Sequence, residues 1–303
     1  MWKKDRKMKQ VSIIIVTYNS EKDIYDCIDS IKRFSDIPLH DIELIIVDNN
    51  SDNTDVMFEN LRRQWGNDII TIKNSKNGGY GQGNNLGIKR STAPVILVMN
   101  PDVRLASPFF ARPLSTFAKD KDVVMYGMKQ MYTETLESKS SFCCTYMMNG
   151  YMRTFLEGLF NRLEWYRPEF QYFSGSCFYV RKCMFEEVGL FDETIFMYGE
   201  EDDIHYRLMQ RFGTRFVYDK DIRYLHLTSG RKPDADYEMK FVEVAVIQNE
   251  KKGYPRKKTL RNFRQIYQML YWREVLRTSF GKDKERLVML KDMLYRIKNY
   301  DNN

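Results

Sequence analysis

The first hundred residues alternate between β-branched runs and polar segments with helical spacing, and this alternation restricts the fold more than any other feature of the sequence. The runs VSIIIVTY (11–18) and IELIIVDN (42–49) are typical of strands buried on both faces of a sheet. Further strands are predicted at 68–74 and 93–100, and a helix over 53–65. The pattern predicts an α/β fold with a mostly parallel sheet flanked by helices.

Bulk composition restricts the class of protein. The chain has 303 residues and 43% hydrophobic content, which predicts one large domain or one domain with an appendage. No stretch of 18 or more apolar residues occurs, so no membrane span is expected. The basic N-terminus lacks the apolar stretch of a secretory signal. The five cysteines are odd in number and lack C-x-x-C spacing, which favours a reduced, cytoplasmic protein.

The positive charge is concentrated at the C-terminus. Residues 251–303 contain 15 Lys/Arg and 5 Asp/Glu, hence +10, whereas the remainder carries −3. Such a tail indicates anionic lipid or nucleic acid as a neighbour. A nucleic-acid binder would leave the acidic run described below unexplained, because a basic body is expected of that class.

Polar residues follow the predicted strands, at the sheet edge where α/β folds bind ligands. Asn100 and Asp102 in VMNPDVRL are spaced i, i+2, which suits oxygen ligands of a hard divalent cation, with Asp102 as ligand and Asn100 as a weaker helper. An Asx-Pro turn that ends the strand is the alternative. Asp48 could accept hydrogen bonds from a ribose or a base, or belong to a loop before a helix N-cap at Ser51 or Asp52.

The glycine-rich segment NGGYGQGNNLG (77–87) precedes a predicted helix and resembles a dinucleotide-binding fingerprint only in part. Leu86 stands where G-x-G-x-x-G requires its third glycine. A glycine-rich turn still lets the backbone approach a ligand closely. The segment is therefore weak evidence for a nicotinamide cofactor.

Four consecutive acidic residues, 200–203, stand at the start of a predicted helix over 200–210. Glu201 shares a helical face with Ile204 and Leu208, so we expect it to point inward, where a raised pKa would suit a general base. Asp203, four residues before Arg207, is expected to be its exposed partner. The alternative is an acidic first turn that only complements the helix dipole.

His226 lies on or just beyond the predicted strand 214–227. A lone histidine between leucines is more often a core residue than a ligand. It becomes a functional candidate only if the fold brings it near Asp102.

In this order along the chain, the motifs resemble family 2 glycosyltransferases, most closely the rhamnosyltransferase type of bacterial surface polysaccharide synthesis. The resemblance covers about residues 10–230. It rests on the segments SIIIVTYNS, LIIVDNNSDN, NGGYGQGNNLGI, MNPDV, SGSCFYVRKCMFEEVGLFDETIFMYGEEDDI and HLTSG.

The resemblance implies a GT-A fold, a mostly inverting reaction and a set of site residues. The general base falls on Glu201, or on Asp202 if the motif is displaced by one. Metal binding, by Mg²⁺ or Mn²⁺, falls on Asp102 with help from His226. Residues implied to bind the nucleotide-sugar are Thr17, Tyr18, Asn19, Asp48, Asn50, Asn77, Gly78, Gly79, Asn84, Asn100 and Asp102.

The predicted domains are a GT-A catalytic domain over 1–232 and a basic helical extension over 233–303. The catalytic domain would comprise a nucleotide-sugar half (about 10–103) and an acceptor-side half (about 104–232). In the extension, 254–272 combines basic and aromatic residues, as segments at a membrane interface do. We predict that it lies on the inner leaflet; packing on the catalytic domain or a homodimer contact is the alternative.

These observations predict an inverting, metal-dependent glycosyltransferase. It would move a sugar from a UDP- or dTDP-sugar to a hydroxyl of a lipid-linked saccharide acceptor in capsule, O-antigen or cell-wall synthesis. No nucleic-acid partner is expected, and the protein would be cytoplasmic or peripheral on the inner membrane face. The alternatives are a sugar-phosphate nucleotidyltransferase, for which the chain lacks a basic phosphate-gripping loop near its N-terminus, and the nucleic-acid binder.

Overall fold

The structure, a computed structural model, divides the chain into two compact units. We refer to residues 1–141 and 173–228 as the sheet unit, and to residues 142–172 and 229–303 as the helical unit. The residues described are 8–66, 68–132, 141–227, 234–278 and 284–300.

The sheet unit is built on a mixed eight-stranded sheet with the order β3-β2-β1-β4-β9-β6-β10-β5. Strands β3, β2, β1 and β4 are mutually parallel, and β6 is parallel to β10; β9 and β5 are antiparallel to their neighbours. A separate two-stranded sheet joins β7 to β8. The strands are β1 (Val11–Thr17), β2 (Ile42–Asp48), β3 (Ile70–Lys73), β4 (Val95–Met99), β5 (Val103–Leu105), β6 (Met125–Met131), β7 (Phe142–Cys144), β8 (Gln171–Phe173), β9 (Cys177–Arg181) and β10 (Phe216–His226).

Helices connect the strands and bury their apolar faces against the sheet. On the first of them, Ile24, Cys27, Ile28 and Ile31 are fully buried in the core formed with β1 and β2. The α/β fold and its mostly parallel sheet are thereby confirmed. The helices are α1 (Glu21–Arg33), α2 (Thr54–Trp65), α3 (Gly79–Arg90), α4 (Ala111–Lys119), α5 (Gly150–Leu163), α6 (Lys182–Glu187), α7 (Glu200–Phe212), α8 (Ala235–Lys251), α9 (Arg256–Thr278) and α10 (Glu285–Asn299), with a 3₁₀ turn at Leu39–Asp41.

Strand register brings distant residues together at the sheet edge. In the parallel pair β1–β2, Thr17 lies opposite Asp48, so the two loops that follow these strands start side by side. In the antiparallel pair β10–β5, His226 lies opposite Val103, next to Asp102 in the chain. The register therefore decides which of the predicted site residues meet.

The helical unit has a core of its own, formed by α8, α9 and α10. Residues 142–172, which the sequence placed in the acceptor-side half of the catalytic domain, belong to this unit. The physical reason is aromatic packing, because the ring of Tyr146 stacks on Phe263 of α9 at 4.8 Å between centroids.

The apolar face of α9 is not available to a membrane. Leu260, Phe263 and Tyr267 are buried in the core of the helical unit. Leu260, Phe263 and Tyr267 of the segment 254–272 therefore do not face lipid, and the prediction that this segment lies on the inner leaflet stays a prediction. Within the helical unit α9 packs on α8 and α10 and also on α5, which lies in the range 104–232 that the sequence assigned to the acceptor-side half of the catalytic domain.

Candidate active site

The candidate metal ligands meet at the sheet edge. Nε2 of His226 lies 3.3 Å from Oδ2 of Asp102, and the backbone N–H of Leu227 donates to the carbonyl oxygen of Asp102 at 3.0 Å. Nδ1 of His226 is buried and has no hydrogen-bond partner among the described residues. The condition that made His226 a functional candidate is therefore met.

The Asn-Pro-Asp segment also forms a turn, as the alternative interpretation expected. The N–H of Asn100 donates to the carbonyl oxygen of Ser176, and its own carbonyl oxygen accepts from the N–H of Val103. The turn holds Asp102 beside His226, so the structural and the functional interpretations of this segment are compatible.

Helix α7 carries the four acidic residues into the sheet unit. Ile204 and Leu208 are fully buried, as the helical-face argument predicted. Glu201 on that face is half-buried. Asp203 does pair with Arg207, at 2.6 Å, but it is buried rather than exposed.

The Glu201 side chain packs directly against Gly175. The backbone N–H of Gly175 donates a hydrogen bond to the Glu201 carboxylate. A Cβ atom built on Gly175 would lie only 2.0 Å from Oε1 of Glu201, so an alanine at this position would have to displace the Glu201 side chain. On the other side, the hydroxyl of Tyr80 donates to the carbonyl oxygen of Gly175 at 2.6 Å. Tyr80 thus fixes the peptide against which Glu201 rests.

Burial changes the acidity of the residues around Glu201. Desolvation raises the pKa of Glu201, backbone N–H donors oppose this, and the negative charge of Asp202 adds to it. Desolvation and the charge of Glu201 raise the pKa of Glu200 well above its ordinary value. Oε1 of Glu200 is buried and without a hydrogen-bond partner among the described residues. Two adjacent carboxyl groups therefore compete for ionisation.

The predicted nucleoside residues divide into a buried pair and an exposed group. The Asp48 carboxylate is fully buried and accepts hydrogen bonds from the hydroxyls of Thr17, Ser51 and Thr54 and from the N–H of Ser51, at 2.6–2.9 Å. Helix α2 starts after Asn53 rather than at Ser51 or Asp52, and Asn53 makes no side-chain cap. The hydrogen bonds of Asp48, and not a side-chain cap of α2, therefore hold the loop that follows β2.

The exposed group lies on the two loops that Asp48 ties together. Tyr18 is 52% exposed, and Asn19 and Asn50 are exposed with left-handed backbone (φ 49° and 66°). The loops are joined because the N–H of Asn19 donates to Oγ of Ser51 at 2.8 Å. Tyr18, Asn19 and Asn50 are therefore exposed on two loops that a hydrogen bond joins.

The glycine-rich segment forms the start of α3 and approaches other backbone closely. Gly79 has φ +84°, and a Cβ there would meet the carbonyl oxygen of Phe196 at 2.1 Å. Asn77 accepts from the N–H of Gly79, whereas Gly78 faces only the flexible Gln82 side chain. Asn84 is buried and donates to the carbonyl oxygen of Tyr80. Asn77, Gly79 and Asn84 therefore maintain the shape of the segment.

Sequence reasoning missed three residues that position the site. Tyr80 and Gly175 hold Glu201, as described above. Asn85 exchanges hydrogen bonds with the backbone of Phe191, at 2.9 and 3.1 Å, and so ties α3 to the segment before α7. Tyr80 and Gly175 stand inside the motifs that carried the resemblance, but the spacing of those motifs gives no sign that the two residues touch.

The donor set suits a divalent cation only in part. Asp102 supplies a carboxylate oxygen and His226 supplies an imidazole nitrogen, and Mn²⁺ accepts both kinds of ligand. Nδ1 of the His226 ring has no hydrogen-bond partner among the described residues. Within the described ranges, no group of three or more His, Cys, Asp or Glu side chains is arranged to hold a metal ion.

A cavity of about 680 Å³ lies beside α1, β5 and β10. Its lining includes Ser30, Phe34, Arg104, Arg223 and Leu227, and none of the predicted site residues. We therefore assign it no part in the reaction proposed below.

With this fold and site described, comparison with solved structures defines the class. The mannosyltransferase PcManGT from Pyrobaculum calidifontis, solved with GDP-Man and Mn²⁺, is 16% identical with a TM-score of 0.58, covering 99% of this chain and 77% of that one. Residues 1–349 of S. aureus TarS, solved with UDP-GlcNAc, are 15% identical with a TM-score of 0.56, covering 96% and 81%. The fold is the GT-A fold of glycosyltransferases.

The family follows from sequence. Residues 12–189 match the profile of glycosyl transferase family 2, and the chain belongs to this family. The low-salt glycan biosynthesis hexosyltransferase Agl10 of Haloferax volcanii is 29% identical over 209 residues, which are 66% of this chain. The match spans 62% of Agl10. Family membership favours the glycosyltransferase interpretation over the nucleotidyltransferase and the nucleic-acid binder.

Proposed function

We propose that this protein is an inverting glycosyltransferase that moves a hexosyl group from a nucleotide-diphosphate sugar to a hydroxyl of a saccharide acceptor. The observation that carries the proposal is the meeting of Asp102 and His226 at the sheet edge of a family 2 chain. The similarity to Agl10, a glycan biosynthesis enzyme, supports a role in glycan assembly.

Glu201 acts as the general base. Its carboxylate removes the proton from the acceptor hydroxyl, whose oxygen attacks the anomeric carbon on the face opposite the leaving diphosphate. The bond to the diphosphate oxygen breaks in the same displacement, so the anomeric configuration inverts. A raised pKa strengthens Glu201 as a base, while the Gly175 N–H keeps the carboxylate oriented.

Asp102 and His226 would hold a divalent cation, Mg²⁺ or Mn²⁺, and Asn100 lies at the start of the turn that presents them. When bound, the cation neutralises the negative charge that develops on the departing diphosphate. Asp102 would supply a carboxylate oxygen, and an imidazole nitrogen of His226 would add a second donor. The turn and the Leu227 hydrogen bond keep both side chains in place before substrate arrives.

Tyr18, Asn19 and Asn50 contact the nucleoside, because they are the exposed members of the predicted group. Thr17 and Asp48 act as positioning residues, since their polar atoms are engaged with the loop itself. Asn77, Gly78, Gly79 and Asn84 shape the backbone beside the sugar-diphosphate. Whether the nucleotide is UDP or dTDP is decided by contacts of the exposed group with the base.

The acceptor is lipid-linked, and the protein works at the inner face of the cell membrane. The basic charge of the C-terminal region supports this part of the proposal. Among the described helices, none combines the length and hydrophobicity that crossing a bilayer requires.

The test is turnover by Glu201→Gln with a panel of nucleotide-diphosphate sugars, read as release of nucleoside diphosphate and as product anomeric configuration. We expect a loss of about 10²–10⁴-fold in kcat, with unchanged thermal unfolding. Glu59→Gln, on an exposed i, i+4 ion pair of α2, is the matched control. Wild-type turnover by Glu201→Gln, or retention of configuration, would overturn the mechanism.

A further inference from the structure

Helix α5 exposes a continuous apolar stripe. Met152, Phe155, Leu159 and Leu163 are spaced i, i+3, i+7 and i+11, and they are 57%, 65%, 37% and 45% exposed. This spacing places them on one face of the helix. We call these four residues the α5 stripe.

The opposite face of α5 is anchored by polar side chains, which reverses the usual arrangement of a surface helix. Arg153 is buried, donates to the carbonyl oxygen of Cys144 at 2.9 Å and lies 4.0 Å from the ring centroid of Tyr146. Asn161 is buried and donates to the carbonyl oxygen of Phe142 at 2.8 Å. A helix that turns polar groups inward and apolar groups outward requires an apolar partner for the outer face.

Exposed aromatic and basic side chains lie on α9, the helix that contacts the start of α5. The hydroxyl of Tyr151 donates to Oε1 of Gln268 at 2.6 Å, so α9 lies along this part of α5. Arg261, Gln268 and Trp272 share one face of α9, at i, i+7 and i+11. Arg261 is exposed and Trp272 is 63% exposed. A tryptophan and a cation beside an apolar stripe are typical of surfaces that lie at a membrane interface.

The helical unit also concentrates the charge of the protein. Residues 142–172 and 229–303 contain 21 Lys/Arg and 13 Asp/Glu, hence +8, whereas the rest of the chain carries −1. The unit that bears the stripe is therefore the unit that an anionic surface attracts. The positive charge of the helical unit and the exposed α5 stripe therefore both favour an anionic lipid surface as the partner.

We propose that the α5 stripe docks on an anionic lipid bilayer, with its apolar side chains among the acyl chains and Arg261 and Trp272 at the headgroups. The docking surface is thus α5, in the middle of the sequence, and not the apolar face of α9. The proposal rests on the proposed function, because a lipid-linked acceptor is what gives membrane docking its purpose. It can fail independently, because lipid binding is measured without turnover.

The test is co-sedimentation of the full chain with phosphatidylglycerol-containing vesicles and with pure phosphatidylcholine vesicles, at low and high salt. We expect binding to the anionic vesicles, weakened by salt, and a loss of about tenfold or more for the double variant Phe155→Ser/Leu159→Ser. Val288→Ser, equally exposed on α10, is the matched control and should bind like wild type. Arg261→Gln should weaken binding to anionic vesicles only, without changing the stripe.

Three results would overturn the proposal. The first is that wild-type protein does not co-sediment with anionic vesicles at low salt. The second is a folded double variant that binds them as wild type does. The third is a dimer in solution that the double variant converts to a monomer, because the stripe would then serve a second copy. If vesicles are bound but no sugar is transferred to any acceptor, the proposed function fails and the docking surface stands.

Discussion

Nε2 of His226 and Oδ2 of Asp102 lie 3.3 Å apart because the register of β10 and β5 places His226 opposite Val103. We predict that His226→Ala and Asp102→Ala each weaken Mn²⁺ binding by about tenfold or more, since each removes one of two candidate donors. Free Mn²⁺ measured by electron paramagnetic resonance during titration gives the affinity without turnover. The exposed His40, replaced by alanine, is the control. Unchanged affinity in both site variants would remove the metal assignment.

The rate should depend on pH through Glu201. A general base works when it is ionised, so a raised pKa means that kcat/KM climbs with pH to a midpoint above the ordinary carboxyl value of 4.5. Asp202→Asn removes a charge that raises this pKa, so the midpoint should fall while activity at neutral pH persists. If Asp202→Asn instead abolishes activity with folding intact, the base is Asp202.

The contact between Gly175 and Glu201 predicts a severe effect of a small substitution. In Gly175→Ala the new Cβ would displace the carboxylate, and misplacement of a catalytic group by about 1 Å costs about 100-fold in rate. Steady-state kinetics should locate the loss mainly in kcat. Gly158→Ala, where no atom lies within 4 Å of the new Cβ, should leave kcat unchanged. Equal rates in the two variants would contradict the described contact.

Asp48→Asn should destabilise the sheet unit by about 1–3 kcal/mol, because the amide cannot accept all the hydrogen bonds that the carboxylate accepts. Urea unfolding gives the free energy of unfolding. Asp55→Asn, on the exposed side of α2, should change it by no more than about 0.5 kcal/mol. If Asp48→Asn has wild-type stability but no longer binds the nucleotide-sugar donor, Asp48 contacts the nucleoside directly and is not only a positioning residue.

Glu200 should make stability depend on pH. Its folded-state pKa is raised above the ordinary 4.5, so the folded protein keeps the proton longer, and stability declines as pH rises from about the ordinary value through the folded pKa. Glu200→Gln removes this cost, so its Tm should exceed that of wild type at pH 8 and approach it at pH 4. A Tm difference independent of pH would show that Glu200 is not the titrating group.

The sequence predicted the elements that depend on local pattern and left open those that depend on tertiary contact. Buried β-branched runs predicted β1, β2 and β4 closely, because such runs satisfy one strand geometry. Asp102 could be named from spacing and His226 from the resemblance, but whether the two side chains meet depends on the β10–β5 register, which no local pattern determines. The association of 142–172 with the helical unit rests on Tyr146 stacking on Phe263, a pairing that no local pattern encodes.

The contact between Gly79 and the carbonyl oxygen of Phe196 restricts how this enzyme can be altered. The contact is between main-chain atoms, and the N–H of Tyr80 donates to the same carbonyl oxygen at 3.1 Å. Any side chain at position 79 would therefore clash with the backbone of Phe196. A library aimed at new sugar specificity should therefore hold position 79 constant and diversify solvent-facing residues such as Met197, which is 40% exposed.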